Sequence, residues 1–161
     1  MASEWQGRAD RLGDIRRELS VLRPMSREVG ALRRTAEAMS GGGGCRSSGF
    51  DTSVWRSIVI SERALWMEDD LYSLIGAAYR NLSASVSAGA SGRMDDAGCQ
   101  EEFAERVAEL TALQEKLDKR KGDLEGQHAT MNETQRRGLP AFIYQTMGWK
   151  AVAVLIFPAA A

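Results

Sequence analysis

Phe103, Leu110, Leu117, Leu124 and Met131 recur at strict seven-residue spacing. No other feature constrains the chain as tightly. A helix carrying that period keeps one apolar seam turned toward a partner helix, the geometry of a coiled coil. Val107 and Leu113 reinforce the seam, and the intervening residues are largely Glu, Gln, Lys, Arg and Asp, side chains suited to water. The spacing predicts a long helix over about 100–138, closed by Gly138 and Pro140.

A second seam lies near the start. Trp5, Leu12 and Leu19 follow one heptad series and Ile15, Leu22 and Val29 the interleaved one, predicting a helix over about 4–39. Pro24 falls inside it. A proline removes one helical hydrogen bond and clashes with the preceding turn, at a cost of about 3 kcal/mol, so a kink or break is expected near Arg23.

Four consecutive glycines, Gly41–Gly44, make 40–51 a linker. The stretch 52–87 then carries Trp55, Ile58, Val59, Leu65, Trp66, Leu71, Leu74, Ile75, Ala78, Tyr79 and Leu82 mostly at spacings of three and four. From Leu71 to Ser87 its one charged residue is Arg80, and a helix so poor in charge is normally buried on more than one side. A second linker follows at 88–99, rich in Ser, Ala and Gly. Three helices and two linkers predict an all-α fold: a three-helix up-down bundle of coiled-coil hairpins over 1–138, with an apolar tail over 139–161.

That topology bears on Cys45 and Cys99. Successive loops of a three-helix bundle lie at opposite ends, and a helix of about 35 residues spans roughly 50 Å. Disulfide α-carbons must approach within about 7 Å, so an intramolecular disulfide is not expected.

The tail holds Ala151–Ala161, a run without a polar side chain. A spanning helix needs about 20 apolar residues, and extending this run backward takes in Lys150, Gly148, Gln145 and Pro140. Docking on protein or at a membrane interface is therefore expected for Tyr144, Trp149, Lys150, Leu155, Ile156 and Phe157.

Chemistry-bearing motifs are sparse. The glycine run lacks the Gly-Lys-Ser/Thr ending of a phosphate-binding loop. Two cysteines and His128 cannot supply a four-ligand zinc site. Glu101, Glu102, Glu105 and Glu109 lack the Glu-x-x-His pairs of a helical di-metal centre. Cys45 beside Arg46 could favour a thiolate, but nothing in the sequence brings His128 to it. No metal and no cofactor is expected, and no catalytic residue is assigned. With 21 basic and 22 acidic side chains interleaved, no field across the molecule points to nucleic acid. No apolar run near Met1 suggests a secretory leader, so a cytoplasmic protein is expected.

The sequence therefore points to a non-enzymatic helical subunit or adaptor of a larger assembly. Its partners would be other helical proteins, hetero- or homo-oligomeric, engaged through Phe103, Leu110, Leu113, Leu117, Leu124 and Met131, with Trp5, Leu12, Ile15, Leu19 and Leu22 as a second surface. The alternative is a peripheral membrane or vesicle-trafficking factor tethered by its C-terminal tail.

Overall fold

The computed structural model describes the backbone of residues 2–42 and 50–156 and the side chains of residues 6–42 and 50–133. The fold is all-α, with no strand among the described residues. The helices are α1 (Ala2–Ser40), α2 (Ser53–Ile60), α3 (Asp69–Ala90) and α4 (Asp96–Ile156), with a 3-10 segment at Glu62–Trp66 between α2 and α3.

The two heptad-bearing helices form an antiparallel pair. Ser26 Oγ donates to Asp118 at 2.7 Å, Arg23 reaches Glu125 and Arg16 reaches His128, so α1 rises as α4 descends. Leu22, Met25, Val29 and Leu32 of α1 meet Phe103, Leu110 and Leu117 of α4 in the same buried core. Burial of such a side chain contributes about 1.5–3 kcal/mol, so this seam supplies much of the stability. Gly30 marks a close approach of the pair: a β-carbon there would lie 3.2 Å from the Gln114 amide nitrogen.

Helix α1 is continuous through Pro24, contrary to the expected break. Val21, Leu22, Met25 and Val29, on both sides of the proline, are essentially inaccessible. Their burial offsets the loss of one hydrogen bond. Helix α4 likewise runs through Gly138 and Pro140 to Ile156. A proline deletes a single i to i−4 bond, and the flanking Leu139, Ala141, Gln145 and Met147 are helix-compatible residues.

The middle segment departs most from expectation. It is three elements rather than one helix over 52–87. Ser61 and Met67 adopt extended backbone, with ψ of 159° and 148°. The Ser61 hydroxyl accepts the Arg63 N–H, one of the local side-chain bonds by which serine competes with a helix. Asp69 and Asp70 then sit in the first turn of α3, where acidic groups complement the positive end of the helix dipole.

The break gives the chain an extra leg. From the top of α1 it descends through α2 and the 3-10 segment, rises along α3, and descends again as α4. Hydrogen bonds from Asn81 to Glu109 and from Ser85 to Glu102 show that α3 and α4 run antiparallel. The top of α1 and the start of α4 consequently share one end of the molecule: a β-carbon on Gly42 would lie 3.7 Å from Gln100 Nε2. Cys99, buried at that end, is disulfide-bonded, which overturns the expectation that no disulfide forms. Four legs rather than three bring both linkers to one end of the molecule. The chain's other cysteine, Cys45, lies outside the described residues.

Candidate functional site

Polar clasps fix the helices against one another. Arg120 bonds Glu18 through Nε at 2.8 Å and Glu68 through Nη2 at 2.9 Å, tying α4 to α1 and to the start of α3. The Glu18 bond raises the guanidinium's affinity for its proton, against the opposing effect of partial burial. Lys121 and then Ser26 hold the Asp118 carboxyl below the usual carboxylate range. Arg106 pairs with Glu102, Glu105 and Glu109. The acidic run at the head of α4 is therefore knit together by a cation and linked to α3 through Ser85 and Asn81.

The most consequential of these groups is Glu28. It is buried on α1, and its carboxylate accepts the N–H groups of Val54 (2.7 Å) and Trp55 (3.1 Å) and the hydroxyl of Tyr79. One side chain thus satisfies two backbone donors at the start of α2 and anchors α3 as well. Burial, followed by the bond to Glu28, drives the Tyr79 hydroxyl far above the ordinary phenol range, so it stays a donor.

Above this knot Trp55 stacks obliquely on Tyr72 and Tyr79, with ring centroids 5.2 and 5.4 Å apart. The rings floor a groove of about 590 Å³ between α2 and α3. Its polar lining residues are Thr52, Trp55, Tyr72, Tyr79, Arg80 and Ser83; among the described residues none that lines it carries a carboxylate, imidazole or thiol, although Asp51, between Phe50 and Thr52, is close enough to act on Tyr79. The cleft offers apolar and aromatic surface and one guanidinium. On the same layer Ile60 and Leu65 are 79% and 81% exposed, and Val59, Trp66 and Leu74 are exposed alongside them.

The residues singled out in the sequence lie elsewhere. Phe103, Leu110, Leu113, Leu117 and Leu124 are buried, as are Leu12, Ile15, Leu19 and Leu22. Met131 packs partly buried against the same core. The two seams close on each other within one chain, so these side chains are core rather than free surface. Trp5, Tyr144, Trp149, Lys150, Leu155 and Ile156 have side chains outside the described residues, and Phe157 lies wholly outside them. His128 accepts from Arg16 and neighbours Asn132.

The helical spacing over 52–87 placed Val59, Leu65, Trp66 and Leu74 at the centre of a bundle, whereas they and Ile60 are exposed. The signal available was the Ser61-Glu62-Arg63 interruption ahead of Leu65. Among the described residues no group of three or more His, Cys, Asp or Glu side chains could hold a metal, and no helix is long and apolar enough to cross a membrane. No protein family matches the chain, and no curated protein or solved structure matches it either.

Proposed function

We propose that this chain is a helical, non-enzymatic subunit or adaptor of a larger protein assembly, acting by helix packing through its α2–3-10–α3 layer. The α1–α4 pair, read as a coiled-coil hairpin, is the rigid support. The observation that carries the reading is the exposure of five large apolar side chains, Val59, Ile60, Leu65, Trp66 and Leu74, all in the α2–3-10–α3 stretch of a molecule whose α1–α4 seam is buried. Exposed apolar side chains support an interaction role where they adjoin one another. The disulfide at Cys99 fits assembly in an oxidising compartment better than in the reducing cytosol.

The test is recovery of the tagged chain from its native cells, with partner stoichiometry measured by mass spectrometry, for the wild type and for Leu65→Asp. Leu65 is exposed, so the variant keeps its helical spectrum. Near-equimolar partners that disappear with Leu65→Asp support the reading; partners retained in full by the variant refute it. Deleting residues 140–161 separates a tail-mediated membrane tether from this surface: loss of membrane association with partner binding intact assigns the tail its own role.

A further inference from the structure

The charge of α4 changes abruptly along its length. From Asp96 to Glu133 the helix carries ten acidic and five basic residues; from Thr134 to Ile156 it carries Arg136, Arg137 and Lys150 and no acid. Apolarity rises with it. Every position of Ala151-Val152-Ala153-Val154-Leu155-Ile156 is apolar, and successive helical positions, about 100° apart, distribute those six round the whole axis. A helix apolar on all sides belongs inside an apolar medium rather than in a groove that covers one face.

No other described element of the chain reaches that segment. Helix α3 begins beside Arg120, where Glu68 is bound, and rises toward the head of α4. Ala151 lies roughly 46 Å farther down α4. Helix α1 runs beside α4 with Arg16 against His128. At equal rise its first described residue, Ala2, stands level with about residue 142. The backbone of 143–156 continues past the pair as a single helix, roughly 21 Å long.

Charge and apolarity together select what covers it. A second copy of the segment would set three more cations against the three already there, with no acid to pair them. An anionic bilayer answers both features: its headgroups neutralise the cations, and its acyl boundary surrounds an apolar helix on every side. Tyr144 and Trp149 precede the apolar run, and both residue types are enriched at that boundary. We propose that the end of α4 is an interfacial anchor for an anionic membrane, with Lys150 at the headgroups and Ala151–Ile156 in the acyl boundary. Six residues advance roughly 9 Å along a helix, the depth of an interfacial helix and far short of the ~30 Å hydrocarbon core. No helix among the described residues is long and apolar enough to cross that core. The proposal goes beyond the assembly reading and uses a different surface.

Flotation of the full chain with lipid vesicles tests it, comparing phosphatidylcholine alone with phosphatidylcholine carrying about one-third phosphatidylserine. The chain is expected to float with the anionic vesicles and to bind them at least about fivefold more tightly than the neutral ones, the worth of one cation at such a surface. Lys150→Glu is expected to weaken anionic binding by about fivefold or more and to leave neutral binding unchanged. Leu155→Asp is expected to weaken both. Each position lies past the reach of α1 and α3, so both variants keep the wild-type helical spectrum and urea midpoint. No flotation, equal affinity for the two vesicles, or flotation that survives Leu155→Asp overturns the proposal. So does a lipid-free oligomer in sedimentation that Leu155→Asp dissolves, which would seat protein on the segment instead. Leu65→Asp is expected to leave flotation unchanged, so this reading and the assembly reading fail separately. Flotation lost with Leu65→Asp would move the lipid contact to the α2–3-10–α3 layer and overturn the anchor as well.

Discussion

The α1–α4 pair and the α2–3-10–α3 layer spend their apolar residues in opposite ways. In the pair, apolar side chains recur at regular spacing and are hidden: Leu22, Met25, Val29, Leu110 and Leu117 have almost no exposed surface. In the layer the spacing is broken at Ser61 and Met67, and Ile60 and Leu65 stand in solvent. In the pair the two heptad patterns meet in one buried seam, so period translates into closure. The layer is three separate pieces of eight, five and 22 residues, and not all of their apolar side chains turn inward. Regular seams here build the core, and the irregular stretch leaves apolar side chains exposed.

Substitutions can break that contrast, beginning with the pair. Leu117→Asp sets an unpaired carboxylate in the fully buried seam and is expected to cost about 4 kcal/mol or more. Urea titration followed by circular dichroism should show the cooperative helical transition lost or moved to much lower denaturant. A transition near the wild-type midpoint would mean that the seam is not the core.

Glu28→Ala comes next and acts where the two regions join. It strands the N–H groups of Val54 and Trp55 and the Tyr79 hydroxyl, at an expected cost of about 3 kcal/mol. Hydrogen exchange should show α2 opening before the α1–α4 pair, since the pair keeps its apolar contacts. Simultaneous loss of protection in both would make the layer and the pair one cooperative unit.

The smallest effect has the opposite sign. A β-carbon at Gly122 or Gly126 would meet nothing within 4 Å, so each change to alanine is expected to stabilise α4 by about 1 kcal/mol. That should raise the melting temperature by about 2–4 °C per site in a chain of this size. A lower melting temperature would reveal a close helix contact at the glycine face.

Legibility from sequence followed the same division. The seam at Phe103, Leu110, Leu117 and Leu124 was readable because its periodicity is local and its burial follows from it. That the seam closes on α1 was not, since a heptad repeat specifies a partner helix without saying whose. The groove was hidden for a related reason. Trp55, Tyr72 and Tyr79 fit a buried helix equally well until Ser61 and Met67 turn the chain back on itself. Glu28 reads as an ordinary charge within α1, and its partners lie 26, 27 and 51 residues downstream. The acidic triplet Glu68-Asp69-Asp70, a helix-start pattern, together with the Ser61-Glu62-Arg63 interruption, was the signal for the extra leg.

The pairing of α1 with α4 also governs how the chain comes off the ribosome. Arg23 and Glu125 are 102 residues apart in sequence, and Arg16 and His128 are 112 apart. At about 5–20 residues per second, the apolar stripe of α1 waits several seconds for the helix that covers it. Contacts of such long sequence separation are slow to form. Until α4 emerges, Leu22, Met25 and Val29 of a nascent chain present a binding surface to chaperones, and synthesis rate becomes a determinant of yield.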